Sequence, residues 1–414
     1  MDFILSRLRG ELDDLEKLSL TRVLQPRAGI DFCSNDYLGL SKHTDIMRAV
    51  LACLHDDGYG ATSSRYIRGE HPLYEVVQNK LSHFAGFDAA LLFSCGYMAN
   101  IGALSSLIKK HDMVFSDQLN HASIIDGLRL SGASINIFQH NNVDGLQEII
   151  KATSNSQQKF LITESLFSMD GDIAPLDIYA DLCRKHNIAL IVDESHAIGV
   201  YGKHGAGLID HFGVSQDILV SINGLGKAFG TYGGFVAGKE TAIDYLTQKA
   251  RSLMFTTALP PIALAAIDAA LMILSQGELM PQLWKNIRYF QRGLQELNLM
   301  PEGPPRGPIF PVIIGDNKRA QFISQALSNA GFDVRAIRPP TVPEGSARLR
   351  ITIRREHSQG DMDGLLCYLK GLVGLESSNI ARACRAKPNS TNTTTKQSTN
   401  NTTSHISHHN LPPF

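Results

Sequence analysis

The sequence predicts an α/β fold: a mostly parallel seven-stranded sheet in a large domain, followed by a small α+β domain. Three observations carry this. From about residue 72 to 239, short apolar runs alternate with segments of helical length, the pattern of strands joined by crossover helices. Two of the runs, IALIV at 188–192 and ILVSI at 218–222, are apolar almost throughout, as strands covered on both faces are. Beyond residue 300 a shorter strand–helix–strand–helix series begins again.

Residues 2–18 alternate apolar and charged positions at helical spacing and read as an exposed amphipathic arm. Ile30–Cys33 reads as a short strand leading into SNDYLGL (34–40), followed by a helix through 42–55 and the glycine-rich segment GYGATSSRYIRG (58–69). Strands are expected at 89–93, 112–115, 134–138, 159–163, 188–192, 218–222 and 233–237. Helices are expected at 72–85, 97–109, 122–131, 143–153 and 176–186. Helical patterns at 261–275 and 279–297 lead into the small domain, with strands at 308–314 and 347–353 and helices at 317–330 and 359–373. The expected division is an arm and the start of the small domain over 1–45, the large domain over 46–270, the small domain over 271–375 and a polar tail over 376–414. The Ser/Thr/Asn-rich part of that tail has almost nothing to bury, so disorder is expected there.

With 43% hydrophobic residues in 414, the chain can build a substantial core. A net charge of −1 gives no electrostatic case for nucleic acid or an anionic membrane. Apolar runs stop well short of a membrane span, and Met1–Gly10 has charges on both sides of a very short apolar patch, so it is no secretory signal. The six cysteines show no paired metal spacing and are sparse for a disulfide scaffold, which fits a reducing cytoplasm.

The chemistry is expected around Lys227, in the glycine-rich turn GLGKAFG after the 218–222 strand. A lysine in a tight apolar turn is costly to bury as an ammonium, and forming an imine with an aldehyde removes that cost. A surface loop with a solvated lysine is the plain alternative. A phosphate-binding P-loop is excluded because Ala228 follows the lysine, and the glycines do not match G-x-G-x-x-G. In IALIVDESHAIG (188–199), Asp193 places a carboxylate at the end of a buried strand, with His196 three residues on. A helix-capping aspartate beside an ordinary histidine would look the same. Together, an imine-forming lysine and a carboxylate able to keep a ring nitrogen protonated point to pyridoxal 5'-phosphate.

VDESHAIG followed by GLGKAFG resembles the α-oxoamine synthases, a branch of the fold-type I pyridoxal-phosphate enzymes. SNDYLGL, FSCGYMAN (93–100), DQLNHASIIDG (117–127), TESLFSMDGDIAPL (163–176), FTTALPP (255–261) and AIRPPTVPEGSARLRITI (336–353) extend the resemblance, in the family's order, over roughly 30–373. The resemblance implies that Lys227 carries the aldehyde and later serves as base. It implies that Asp193 pairs with the ring nitrogen, that His196 and Ser168 bond its phenolic oxygen with Glu164 in support, and that His121 stacks on the ring. Gly96 and Tyr97, opening a helix, would meet the phosphate at a positive dipole end. Arg350 would grip the amino acid's carboxylate with Asn35 assisting, and Arg338 would brace its loop. Thr257, with Thr256 as the competing choice, would reach the phosphate of a partner subunit in a homodimer with shared sites.

Within the family, the 336–353 stretch is similar to members that condense L-alanine with pimeloyl-CoA or a pimeloyl-acyl carrier protein. Arg65 and Arg68 are candidate contacts for an acidic carrier. The rival expectations are a glycine or serine acyltransferase of the same family, or a non-catalytic homologue. Two departures touch the fold and site. The family's threonine three residues before the lysine is Gly224 here, preceded by Asn223, and losing one charge-assisted hydrogen bond costs about 1.5–3 kcal/mol. The histidine after the glycine-rich segment becomes Tyr74, and the next Leu-Glu becomes Val77-Gln78.

Overall fold

A computed structural model describes residues 1–153 and 157–373; the expected polar tail lies outside the described residues. A short strand β1 (Ile30–Asp31) is followed by β2 (Ala89–Phe93), β3 (Met113–Asp117), β4 (Ser134–Phe138), β5 (Lys159–Glu164), β6 (Ile188–Asp193), β7 (Ile218–Gly224) and β8 (Gly234–Gly238). The last seven form one sheet in the order β2-β8-β7-β6-β5-β3-β4. Its pairs from β4 through to β7 are parallel, and β8 runs antiparallel to both neighbours. The reversal follows from the tight glycine turn between β7 and β8, which leaves no room for a crossover helix.

Period-two alternation buries both faces of this sheet. On β6, Ile191 packs in one cluster with Leu91, Val220 and Val236, beneath Ala99, Ala103 and Leu104 of the helix Gly96–Leu107. Leu190 and Val192 point the other way, into a cluster with Leu176, Tyr179 and Cys183 of the helix Leu176–His186. Each such side chain, fully buried, contributes about 1.5–3 kcal/mol. Asp193 shares parity with Ile191, so its carboxylate emerges on the side of the Gly96–Leu107 helix.

After the helices Pro261–Leu274 and Met280–Glu296, the chain adds β9 (Ile309–Gly315), β10 (Phe332–Asp333), β11 (Arg335–Ile337) and β12 (Ala347–Thr352). β12 lies between β11 and β9 in an antiparallel sheet, and β10 pairs in parallel with β1, tying residue 30 to residue 332. The expected strands fall within two residues of their places; β10, β11, the helices Leu208–Phe212, Glu240–Lys249 and Arg251–Met254 and the π turn Arg65–Gly69 had not been expected. Among the described residues no helix is long and apolar enough to cross a membrane.

Candidate active site

The carboxyl ends of β2, β5, β6 and β7 converge on a cavity of about 320 Å3, as parallel α/β sheets direct. Asn35, Gly96, Tyr97, His121, Glu164, Asp193, His196, Gly224 and Lys227 line it.

Asp193 is 6% exposed, and both its oxygens are anchored. Oδ1 accepts from the Ser195 backbone N–H at 2.8 Å, and Oδ2 accepts from Asn100 Nδ2 at 2.7 Å. Asn100 was not singled out in the sequence. It sits one turn beyond Gly96, in the same motif, and also reaches Ser123 Oγ at 3.0 Å.

Lys227 is half-buried. Burial pushes its amine down to about 8, although the negative charge of Asp193 and Glu164 pulls it up. Glu164, buried and next to Asp193, is driven well above the carboxylate range, chiefly by desolvation. One of its oxygens has no hydrogen-bond partner among the described residues.

His196 is held well below the ordinary imidazole range, first by burial and then by the charge of Lys227 and Arg350. Tyr37 Oη lies 2.6 Å from His196 Nδ1 and 3.3 Å from Asn35 Oδ1. Tyr37 belongs to SNDYLGL, yet its contact with a residue 159 positions away has no local signal. His121 both lines the cavity and caps its helix, accepting from the Ser123 N–H at 3.2 Å. Desolvation lowers its basicity too.

Gly96 opens its helix with Cys95 as a cap that makes no side-chain hydrogen bond. The amides of its first turn are therefore available to an anion. Gly234 of β8 lies directly against this turn: a β-carbon there would meet Gly96 N at 2.5 Å.

Arg350, on β12, is 7% exposed. Its Nε donates to the Ser168 carbonyl (2.6 Å), Nη1 to Thr352 Oγ1 (3.1 Å) and Nη2 to Asn35 Oδ1 (3.0 Å). Arg350 is thus joined to Asn35, which lines the cavity, although Arg350 is not itself one of the lining residues. Ser168 borders a second cavity of about 740 Å3, whose lining runs from His121 past Leu119, Ile125, Phe167 and Met169 to Pro339–Glu344 and Arg22. Arg22 Nη2 donates to Thr341 Oγ1 at 3.0 Å.

Thr257 is not brought to either cavity within one chain; with Thr256 it lines a separate pocket beside Ser64, Tyr66 and Ile67. Arg338 binds the Ser19 and Thr21 carbonyls of the N-terminal arm. Arg65 pairs with Glu70 and Gln78 over the Tyr74 ring, whereas Arg68 is exposed. Asn223 does not line the cavity, and its Nδ2 donates to Ser221 Oγ at 2.9 Å.

Pyridoxal phosphate fits this donor set. A half-buried lysine with a lowered basicity shares the cavity with an anchored carboxylate, and an uncapped helix start stands beside glycines whose missing side chains leave room.

The sequence profile of the family aminotransferase class I and II matches residues 27–369. The 8-amino-7-oxononanoate synthase of Marinobacter nauticus is 44% identical over 360 residues, covering 86% of this chain and 90% of that protein. A serine palmitoyltransferase of S. paucimobilis, solved with PLP and myriocin bound, superposes with a TM-score of 0.84 at 29% identity, over 89% of this chain and 98% of that one. The 8-amino-7-oxononanoate synthase of Francisella tularensis superposes with a TM-score of 0.72 at 31% identity, over 83% and 98%.

Proposed function

The chain belongs to the aminotransferase class I and II family, among the pyridoxal-phosphate-dependent α-oxoamine synthases of the biotin pathway, and we propose that it joins L-alanine to a pimeloyl thioester. Carbon dioxide and the thiol leave, and 8-amino-7-oxononanoate is the product. The observation that carries the reading is Lys227, its amine lowered to about 8, in one cavity with a doubly anchored Asp193.

When bound, the cofactor supplies an aldehyde for the lysine and a ring that withdraws electrons from the amino acid's α-carbon. Lys227, with about a tenth of its amine unprotonated at pH 7, would hold the aldehyde and would serve as the base at the α-hydrogen. Asp193, fixed in direction by Asn100 and the Ser195 amide, would pair with the ring nitrogen and keep it protonated. Arg350, pre-set by the Ser168 carbonyl and Thr352, holds the alanine carboxylate with Asn35, which orients the α-hydrogen. Neutral His196 offers a hydrogen bond to the phenolic oxygen, and Ser168 lies beside that region. Neutral His121, which lines both cavities, would stack on the ring and orient the acyl carbonyl.

The larger cavity suits the acyl chain. Leu119, Ile125, Phe167 and Met169 give its lining apolar surface beside the polar Gln118 and Asn120, and Arg22 offers a cation to the distal carboxylate of a pimeloyl group. Two observations favour a homodimer with shared sites. The helix Asp2–Lys17 buries none of its residues, leaving Phe3, Leu8 and Leu12 exposed. Thr257 also faces away from its own chain's cavity, as a residue serving a partner would.

The likeness to serine palmitoyltransferases favours a second reading, with serine as the amino acid. Turnover of pimeloyl-CoA with alanine, glycine and serine separates the two. Alanine is expected to give the highest kcat/KM; preference for glycine or serine would remove the biotin assignment.

A further inference from the structure

Taking the pyridoxal-phosphate reading as its basis, we infer that Ser195 donates a hydrogen bond to the cofactor's phosphate, in the corner that a side chain at position 224 would otherwise occupy. β6 and β7 end side by side, with Asp193 in register with Ile222. Just beyond those ends Ser195 and Gly224 face each other. A β-carbon on Gly224 would lie 3.1 Å from Ser195 Oγ and 3.4 Å from Ser195 Cβ. One on Gly96 would lie 3.8 Å from the same hydroxyl and 3.3 Å from Gly224 Cα. The Ser195 hydroxyl, the bare end of β7 and the uncapped helix start therefore meet at one point of the cavity wall.

That hydroxyl has no hydrogen-bond partner among the described residues, although Ser195 is 7% exposed and lines the cavity. Open to the cavity and without an acceptor from the chain, the hydroxyl would find one in phosphate oxygens held at the Gly96 amides. The Ser195 main chain is already fixed by its bond to Asp193, so rotation about χ1 alone aims the hydroxyl. Asn223, the neighbouring polar candidate, is turned away towards Ser221. At 3.1 Å, side chains at 195 and 224 compete for the same space, so one of them can carry the hydroxyl.

Apo-protein titrated with pyridoxal phosphate tests this, following the absorption of the adduct and its borohydride trapping on Lys227. Pyridoxal, which lacks the phosphate, serves as the control ligand. Ser195→Ala is expected to weaken pyridoxal phosphate about 10- to 100-fold and to leave pyridoxal affinity within about twofold of wild type. Gly224→Thr alone is expected to bring no gain, because the serine crowds it. The double variant Ser195→Ala/Gly224→Thr is expected to recover most of the lost affinity. Equal affinity in Ser195→Ala and wild type overturns the role of Ser195, as does an equal loss for both ligands or a double variant no better than Ser195→Ala. A wild-type protein that takes up no pyridoxal phosphate overturns the underlying reading as well.

Discussion

Lys227 illustrates how burial sets reactivity. Desolvation brings its amine from 10.5 to about 8 against the pull of Asp193 and Glu164. Between those two values the unfolded chain binds more protons than the folded one. The stability cost of this lysine is therefore full below pH 8 and is relieved as pH rises to 10.5. Because the free amine is the nucleophile, pyridoxal phosphate capture by apo-protein should slow about tenfold per pH unit on going down from pH 8. A stopped-flow rate that stays flat between pH 8 and pH 6.5 would contradict this. His140 is the opposite case. Burial disfavours its charge, but hydrogen bonds to Asp117 (2.9 Å) and Asp172 (2.8 Å) and their charges raise it to about 10. Its stabilisation is complete below pH 6.5 and is lost as pH rises through 10. It ties β3 to the loop carrying Ser168. His140→Ala removes the cation between the two carboxylates, which keep only neutral donors from Leu119 and Asn141, and should cost about 3 kcal/mol in urea denaturation at pH 7. A loss below about 1 kcal/mol would make the triad a bystander.

Among elements, the helix Gly96–Leu107 places the most chemistry, with its open end and Asn100. β8 passes so close that its residue nearest the helix start must lack a side chain, since a β-carbon on Gly234 would lie 2.6 Å from Cys95 C. Gly234→Ala should displace that turn and cost about 1–3 kcal/mol of stability. It should also lower pyridoxal phosphate affinity at least tenfold; unchanged affinity would show that the first-turn amides are not needed. The long elements were legible because each carries a continuous pattern, as in β5 and β6, whose residues are nearly all buried. The helix Glu240–Lys249 was missed because Thr241, Tyr245 and Thr247 dilute its helical character, and three buried positions are a faint stripe. The π turn at 65–69 is closed by Gly69 N to Ser64 O (2.8 Å) and packs against Ala258, a partner remote in sequence. The unusual Tyr74 and Gln78 do not disturb the helix Leu73–Ala85. Arg65 lies 3.9 Å from the Tyr74 ring centroid and donates to Gln78, so these residues hold the glycine-rich segment. At the site, Lys227 and Asp193 stood out in their local motifs and His121 only through the family resemblance; all three line one cavity. Asn100, Tyr37 and Ser195 were not, because their partners are created by folding: Asn100 and Asp193 stand 93 residues apart.

At the scale of the whole molecule, the position of Thr257 makes a prediction about assembly. If each site draws on two chains, Lys227→Ala and Thr257→Ala subunits are each impaired alone, but a hybrid dimer holds one intact site. Co-expression should therefore restore part of the activity that neither variant shows alone; activity no higher than the Thr257→Ala protein's own would place the threonine outside the shared site. The two cavities have one lining residue in common, His121, among the described residues. This arrangement separates generic from particular recognition. The smaller chamber contains features that any vitamin B6 enzyme needs, whereas the larger one is shaped by Pro339–Glu344 and the N-terminal arm. An antimetabolite confined to the larger chamber would leave the lysine untouched and gain its discrimination from those proline-rich walls. One that spans both has to pass the single imidazole they share, and that side chain is where a medicinal chemist would begin.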